Sequence, residues 1–302
     1  MDNILCLNPD LSCSLLEANC KTIDDIIKID IKKLKNVNIS LENANLIKLR
    51  AAKERLKNKI FTLDQIEKWD RISTGCPTID KTLQGGVPSH GIIEIYGASG
   101  VGKTQFCLQM ALQVQLPLEL GGKQREAVYI GTEDVFPSRR LKQLVEIYNN
   151  RHNFNKCFKD HIYIEHLAEP KKMLECLSTN LPKLMSYKNI GIIIIDSIAG
   201  IFRSENENPN YIARSRYFHE ITTKLITLQN KFNCAILITN QIVDNIITGT
   251  IDPCLGLAWS NNVTSRFCLK RNIDKTRTIE VIFAPDLPPT SVEFMIDSGG
   301  LV

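Results

Sequence analysis

The sequence predicts an α/β fold with a mostly parallel central sheet, helices on both faces and a small all-α domain in front of it. Three features predict this fold. Residues 97–104 match G-x-x-x-x-G-K-[ST], a phosphate-binding loop that joins a strand to a helix. From residue 91 onward, short aliphatic runs alternate with longer helical patterns, which is typical of parallel strands joined by helices. Residues 1–58 carry only short amphipathic patterns, so we expect a separate helical domain there.

The length and composition are those of a globular protein. The chain has 302 residues, of which 43% are hydrophobic and 23% are charged. Its aliphatic run Ile192–Ile195 is far too short to span a bilayer, so we expect no membrane partner. The ten cysteines stand singly, without a C-x-x-C pair, and the N-terminus lacks the pattern of a signal peptide. We therefore expect reduced thiols and a protein of the nucleus, and also of the cytoplasm.

Positive charge is concentrated near the N-terminus. The formal net charge is only +4, but residues 31–60 contain nine lysines and arginines against two glutamates. Such a local excess suits an anionic partner such as nucleic acid. Long lysine-rich helices with a simply solvated face are equally common, so both interpretations stand.

We divide the chain into three parts. Residues 1–58 form the small helical domain, and Ser40 is the expected cap of its longer helix. Residues 59–74 form a linker that contains a candidate partner-binding segment. Residues 75–302 form the main α/β domain, and glycine and proline residues mark where it begins.

Local patterns predict each element of the main domain. Purely aliphatic runs such as Ile192–Ile195 and Ile236–Ile238 suit strands that are buried on both faces of a parallel sheet. The predicted strands are 91–96, 127–132, 161–166, 190–196 and 234–240. The predicted helices are 103–117, 138–150, 170–187 and 211–231. Three short strands then predict an antiparallel extension of the sheet: Val263–Leu269, Thr278–Ala284 and Val292–Ile296.

The phosphate loop consists of Gly97, Ala98, Ser99, Gly100, Val101, Gly102, Lys103 and Thr104. Its glycines permit a tight turn in which successive N–H groups converge on phosphate oxygens. The Lys103 ammonium would lie along the β- and γ-phosphates, and the Thr104 hydroxyl would coordinate Mg²⁺. The helix that follows points its N-terminus at the same anion. The sequence therefore predicts a bound nucleoside triphosphate with Mg²⁺.

Three further strand ends carry polar residues that suit this site. Asp196 ends an aliphatic strand, where a carboxylate would hold Mg²⁺ through its water shell. Glu133 follows another strand and is our candidate to polarise the attacking water, whereas its neighbour Asp134 better suits a helix cap. Gln241 follows a third strand, where an amide would bond the γ-phosphate. Local explanations exist as well: a strand terminus for Asp196 and a turn for Asn240.

Together these motifs resemble those of the RecA-like recombinase ATPases. The sequence Gly85-Gly86-Val87 before the first strand and the small helical domain are similar to the eukaryotic branch, and the resemblance covers nearly the whole chain. The segments most similar to a repair paralogue of that branch are 127–141, 164–166 and 284–289. The resemblance implies a RecA-like ATPase core that binds ATP and hydrolyses it with Lys103, Glu133 and Gln241.

The resemblance alone implies further roles. Arg140 matches the arginine that stacks on adenine, a planar cation on a π face, although a surface helix cation is the plain alternative. Pro288 matches the proline of a cap that covers the ATP of a neighbouring subunit. Arg203, Arg214 and Arg216 fall in the first of the family's two DNA-binding loops, as expected phosphate contacts.

Two departures from the family pattern favour a dedicated heteromer over a filament. The second loop, residues 242–262, contains Asp244 and Asp252 but no Lys or Arg, so it lacks the charge for strong phosphate binding. Phe61 begins the sequence Phe-Thr-Leu-Asp at the place where filament-forming relatives have Phe-x-x-Ala. Asp64 disfavours the same pocket because its charge would be desolvated, while Phe61 stays a candidate anchor for a different partner.

The sequence therefore predicts an ATP-binding recombinase paralogue in a heteromeric complex for homologous-recombination repair of DNA double-strand breaks. Its expected partners are another recombinase paralogue, or the main recombinase, and single-stranded or branched DNA. We expect weak, DNA-dependent ATP hydrolysis. Three alternatives stay open: a self-assembling strand-exchange ATPase that forms filaments on single-stranded DNA, a small-molecule kinase, and a scaffold that binds nucleotide without turnover.

Overall fold

The structure, a computed structural model, describes residues 14–18, 20, 23–37, 39–57, 70–133, 135–154, 157–205, 211–245 and 250–302. Contacts within the chain separate two units, Met1–Lys68 and Trp69–Val302. Residues 70–74, which the sequence assigns to the linker, belong to the second unit, where Ile72 and Thr74 are fully buried. The domain limits at residues 58 and 75 stay predictions.

The first unit is helical. Its helices include α1 (Ile23–Lys28), α2 (Ile31–Asn36) and α3 (Leu41–Lys57). Asp30 caps α2 by accepting a hydrogen bond from the Lys32 backbone N–H at 3.0 Å. Ser40 Oγ accepts one from the Asn43 backbone N–H at 3.2 Å, as expected for the cap of α3. A small apolar core holds these helices together: Leu15, Cys20, Ile26, Leu34, Ile39, Ala44, Ile47 and Ala51.

The second unit alternates strands and helices. Its strands are β1 (Arg71–Ile72), β2 (Val87–Pro88), β3 (Ile92–Tyr96), β4 (Glu126–Gly131), β5 (Ile162–His166), β6 (Ile190–Asp196), β7 (Ala235–Asn240), β8 (Ile242–Asn245), β9 (Thr250–Pro253), β10 (Ser265–Arg271), β11 (Arg277–Phe283), β12 (Ser291–Phe294), β13 (Ile296–Asp297) and β14 (Gly300–Leu301). Its helices are α4 (Pro77–Thr82), α5 (Lys103–Gln113), α6 (Ser138–His152), α7 (Pro170–Glu175), α8 (Leu181–Tyr187), α9 (Tyr211–Phe232) and α10 (Gly256–Ser260). None of the helices described here combines the length and apolar character needed to cross a membrane.

The main sheet has the strand order β12-β11-β10-β3-β7-β6-β4-β5. Neighbours from β10 to β5 are parallel, whereas β11 and β12 extend one edge in antiparallel fashion. This topology confirms the predicted fold class, including the antiparallel extension. Because parallel strands end at the same edge of a sheet, the carboxyl ends of β3, β4, β6 and β7 lie side by side.

Helices cover both faces of the sheet because its central strands are apolar on both sides. Along β6, Ile192 and Ile194 pack into one core with residues of α5 and α6. Ile193 and Ile195 pack into the other core with residues of α7, α8 and α9. All four side chains are fully buried, which explains the uninterrupted aliphatic run in the sequence.

Several predicted elements have different limits in the structure, most of them by one or two residues, and the helix predicted at 170–187 is divided into α7, a π-helical turn at Cys176–Asn180 and α8. The helix predicted at 103–117 ends at Gln113, since Pro117 offers no N–H and restricts the residue before it. The strand predicted at 292–296 is divided. Its first part, β12, ends at Phe294 and pairs with β11, whereas β13 pairs with β14.

Candidate nucleotide-binding site

A cavity of about 690 Å³ opens at the carboxyl edge of the parallel strands. Its walls include the phosphate loop after β3, Glu133 after β4 and Gln241 after β7. Asp196 and Ser197, at the end of β6, complete this part of the wall. The register of β4 and β6 pairs Gly131 with Asp196, so the two strand ends are neighbours. The parallel sheet thus gathers side chains that are far apart in the sequence.

The phosphate loop has the tight backbone that its motif predicts. Gly102 caps α5 with a φ of 113°, a left-handed conformation that suits glycine. A side chain at Gly97 would lie 2.3 Å from the carbonyl oxygen of Leu269 on β10, so only glycine fits there. Helix α5 begins at Lys103, and the N–H groups of its first turn have no partner within the helix, which favours an anion at this end.

Lys103 lies against its own loop. Its Nζ donates hydrogen bonds to the carbonyl oxygens of Gly97 at 2.7 Å and Ala98 at 2.9 Å. Burial lowers the pKa of Lys103, and the negative charges of Asp196 and Glu133 act in the opposite direction. The ammonium is therefore a partly desolvated cation in the cavity wall, where an anionic ligand would stabilise it.

Asp196 and Thr104 are in direct contact. The Thr104 hydroxyl donates a hydrogen bond to Asp196 Oδ2 at 2.7 Å. The Tyr129 hydroxyl donates to the same oxygen at 2.5 Å, and the Thr239 hydroxyl donates to Oδ1 at 2.5 Å. These donors orient the carboxylate and occupy its oxygens, so Asp196 would hold a Mg²⁺ ion through water. Hydroxyl and carboxylate oxygens are ligands that Mg²⁺ prefers, and the residues present fit that ion.

Glu133 is held by three side chains. Ser197 Oγ donates to its Oε1 at 2.5 Å. Gln241 Nε2 donates to Oε1 at 2.7 Å and to Oε2 at 2.9 Å. Arg203 Nη2 forms an ion pair with Oε2 at 3.1 Å. The structure therefore brings together Glu133 and Gln241, which the sequence assigns to hydrolysis, and adds Ser197 and Arg203 to them.

Comparison with known proteins decides the family. The Rad51 family model matches residues 66–302, which is most of the chain. The chain belongs to the Rad51 family. It is 31% identical to the DNA repair protein XRCC3 of Bos taurus, over 98% of this chain and 95% of that protein. The DNA repair protein XRCC3 homolog of Arabidopsis thaliana is 32% identical, over 76% of this chain and 92% of the relative. The DNA repair protein rhp57 of Schizosaccharomyces pombe is 30% identical, over 76% and 78% respectively.

These similarities confirm the predicted resemblance to RecA-like recombinase paralogues. The segments that resemble XRCC3 in particular, residues 127–141, 164–166 and 284–289, lie inside the region that the Rad51 family model matches. The chain is thus similar to XRCC3-type paralogues of the Rad51 family over nearly its full length.

Arg140 and Pro288 lie outside the lining of the cavity. Near the start of α6, Arg140 Nε donates to Gln105 Oε1 at 2.7 Å. Its terminal nitrogens donate to the carbonyl oxygens of Asp297 and Ser298, each at 2.8 Å. Because Gln105 lines the cavity, the Arg140 guanidinium is fixed at the cavity's border. Pro288 is exposed between β11 and β12. Both roles stay predictions for this Rad51-family chain.

The arginines expected to contact DNA occupy different surroundings. Arg203 lines the cavity, and 56% of its side chain is exposed. Arg214 donates a hydrogen bond to the Phe202 carbonyl oxygen at 3.5 Å and lies 5.6 Å from the centre of the Phe202 ring. Arg216 is exposed on α9. Phe61, the candidate partner anchor, falls outside the described residues, so its role stays a prediction.

Sequence reasoning missed several residues of the site: Tyr129, Ser197, Thr239 and Arg277. Arg277 lines the cavity, and its Nε donates to the carbonyl oxygen of Val101 in the phosphate loop at 3.0 Å. Burial, and then the positive charge of Arg271, lower the pKa of Arg277, whereas burial raises the pKa of Tyr129. Ser197 directly follows Asp196, and this adjacency was the one available signal for it. Nothing in a single sequence marks the other three.

Proposed function

We propose that this chain binds ATP with Mg²⁺ at the carboxyl edge of its sheet and acts as a recombinase paralogue in DNA repair. The observation that carries the proposal is the convergence of Lys103, Thr104, Glu133, Asp196 and Gln241 on one cavity. Rad51-family membership and the similarity to proteins named for DNA repair support the repair role. A nuclear location follows from that role.

The triphosphate would be held by cations and backbone donors on one wall of the cavity. N–H groups of the loop and of the first turn of α5 would donate to phosphate oxygens. Lys103 would shift its hydrogen bonds from the loop carbonyls to the β- and γ-phosphates, and Arg277 adds a second cation beside the loop. Mg²⁺, bound by Thr104 and through water by Asp196, would neutralise phosphate charge.

Glu133 would act as the base in ATP hydrolysis. A water oxygen bonds to the γ-phosphorus while the bond between that phosphorus and the bridging oxygen breaks, which releases ADP and phosphate. The water proton passes to a carboxylate oxygen of Glu133 and from there to solvent. Gln241 would bond the γ-phosphate, and β8, which pairs with β9, begins at the next residue. Loss of the phosphate would thereby reach these two strands.

Arg140 and Pro288 would complete the nucleotide site from two subunits. Three hydrogen bonds fix the plane of the Arg140 guanidinium, which suits stacking on a flat base. Pro288 would cover the ATP of a neighbouring subunit, and an ion pair between Arg71 and Asp286 holds the turn before it. ATP between two subunits would strengthen the contact between them.

A heteromer agrees better than a filament with the linker sequence around Phe61. Asp64 departs from the Phe-x-x-Ala pattern of filament-forming relatives, while Phe61 is kept. β5 is an edge strand of the main sheet, and such edges accept a strand from another chain. We expect another recombinase paralogue, or the main recombinase, as the partner. Single-stranded or branched DNA would bind at Arg203, Arg214 and Arg216.

Co-purification with candidate recombinase partners, followed by ATPase assays with and without single-stranded DNA, tests the proposal. We expect a stable heteromer that binds ATP and hydrolyses it slowly, with stimulation by DNA. The same complex carrying Lys103→Ala serves as the control without nucleotide. Phosphorylation of a small acceptor without DNA would instead support a kinase, and ATP binding without any turnover would support a scaffold.

A further inference from the structure

Contacts with described residues fill the acceptor positions of the Glu133 carboxylate. A carboxylate offers about four such positions, two on each oxygen. Oε1 accepts hydrogen bonds from Ser197 and Gln241. Oε2 accepts one from Gln241 and pairs with Arg203. A general base must accept a proton from water, so at least one of these donors must leave before Glu133 can act.

The three donors differ in how easily they can leave. Ser197 is only 4% exposed, and its backbone N–H is bonded to Thr132 Oγ1 at 3.0 Å, so it is fixed. Gln241 is half-buried in the cavity, where the γ-phosphate of ATP would compete for its amide. The Arg203 side chain is 56% exposed, and an ion pair at such an exposed position is weak. Arg203 is therefore the donor that a ligand from solvent can remove.

The surroundings of Arg203 suit an extended chain of phosphates. A guanidinium is planar and can donate two parallel N–H groups to two oxygens of one phosphate. Arg214 on α9 contacts Phe202, the residue directly before Arg203. Arg216 is exposed on α9 as well. A phosphodiester chain presents regularly spaced negative charges that suit these three arginines together, whereas a single phosphate suits only one of the arginines.

We propose that Arg203 is a positioning residue that keeps Glu133 inactive until a nucleic-acid phosphate takes its guanidinium. The proposal rests on ATP hydrolysis at this site, the proposed function. When the γ-phosphate draws Gln241 away, Arg203 would stay paired with Oε2 of Glu133 and would extend a second N–H group to the position that Gln241 leaves on Oε1. When a polyanion then binds the Arg203 guanidinium and draws it away from Glu133, Ser197 is the last of the three donors that still bonds the carboxylate. One ion pair thereby makes ATP turnover depend on DNA.

Turnover of ATP by three variants of the full chain, in its complex, tests this inference. Arg203→Gln should raise the DNA-free rate about two- to fivefold, as expected for the loss of a weak, exposed ion pair. Single-stranded DNA should then add little further rate. Arg203→Lys should restore a low DNA-free rate and the stimulation by DNA, because the lysine ammonium can form the ion pair with Glu133 again. Lys224→Gln, which removes a positive charge from an exposed position of α9, is the control and should behave like the wild type.

A purely structural role for Arg203 would lower the rate rather than raise it. An unchanged or lower DNA-free rate in Arg203→Gln, with a wild-type chain that hydrolyses ATP, overturns the inference and leaves the proposed function standing. Failure of the wild-type chain to bind a fluorescent ATP analogue overturns both.

Inorganic polyphosphate in place of DNA distinguishes the source of the phosphate. Stimulation by both polyanions supports recognition of phosphate charge alone. Stimulation by single-stranded DNA alone supports the proposal and assigns the ligand to a nucleic-acid strand. Stimulation of the wild type by neither polyanion contradicts it.

Discussion

The Thr104 hydroxyl and the Asp196 carboxylate lie 2.7 Å apart and join the start of α5 to the end of β6. The two residues are 92 positions apart in the chain. Tyr129 and Thr239 donate to the same carboxylate, so protein groups alone set its orientation. The residues expected to hold Mg²⁺ therefore form a preorganised, oxygen-rich site beside the phosphate loop.

Asp196→Asn should weaken the Mg²⁺-dependent binding of ATP by about 10- to 100-fold, the usual cost of losing an outer-sphere partner of a metal. The asparagine oxygen still accepts hydrogen bonds, but the negative charge is gone. Titration of Mg²⁺ against binding of a fluorescent ATP analogue measures the effect. Asp274→Asn, at an exposed position between β10 and β11, is the matched control. An unchanged Mg²⁺ dependence in Asp196→Asn would remove that residue from the metal site.

Lys103→Ala should abolish ATP binding, because it deletes the cation that faces the β- and γ-phosphates. Equilibrium binding of labelled ATP checks this, with Lys224→Ala as a control of equal charge. The affinity of the wild-type chain for ATP should also depend on pH. Since burial lowers the pKa of Lys103, affinity should begin to fall, as pH rises, at a lower pH than an ordinary lysine would allow. Normal ATP binding by Lys103→Ala would be incompatible with the assigned role.

Glu133→Gln should keep ATP binding and lower turnover by about 100-fold or more, the usual contribution of a positioned general base. Glutamine preserves the shape of the side chain but accepts a proton poorly. Single-turnover measurement of phosphate release, together with binding of the ATP analogue, separates the two effects. If Glu133→Gln turns ATP over at the wild-type rate, another group activates the water.

Glu94→Ala should lower the free energy of unfolding by about 3–5 kcal/mol, because it leaves a buried charge without its partner. Glu94 on β3 is fully buried and accepts hydrogen bonds from Asn240, Trp259 and Arg266. Glu280→Ala, which breaks a partly exposed ion pair between Lys270 of β10 and Glu280 of β11, should cost only about 0–1 kcal/mol. Denaturant-induced unfolding compares the two variants. If Glu94→Ala lowers the free energy of unfolding as little as Glu280→Ala is expected to, the buried network around Glu94 adds nothing to stability.

Local patterns predicted most of the main fold. The run Ile192–Ile195 indicated a strand with two buried faces, and the phosphate loop indicated a strand before it and a helix after it. The strand order was not predictable in the same way. β3 lies between β10 and β7, and this placement depends on contacts between segments far apart in the chain. Short strands such as β13 and β14 also escaped prediction, since two residues give no periodicity.

The sequence predicted those site residues that combine a charged or amide side chain with a position at the end of a strand. Charged or amide residues at strand ends stood out because buried strands seldom end in such groups: Glu133, Asp196 and Gln241. Tyr129 and Thr239 escaped because a hydroxyl inside a strand has no spacing signature, and its role depends on the neighbouring strand. Arg203 was predicted as a DNA contact because the family resemblance places this positively charged residue in a DNA-binding loop. Its pairing with Glu133 arises because the turn Gly200–Glu205 brings it to the cavity, which no local pattern indicates.

ATP at this site should control assembly with a partner rather than drive a filament. Light scattering after gel filtration tests this most directly, for the wild-type and Lys103→Ala chains with MgATP, single-stranded DNA and a co-purifying recombinase paralogue. We expect a heteromer of defined mass that forms with the wild-type chain, requires ATP and is lost in Lys103→Ala. The wild-type chain alone should form no filament on DNA. Long filaments of the wild-type chain alone on single-stranded DNA would contradict this account.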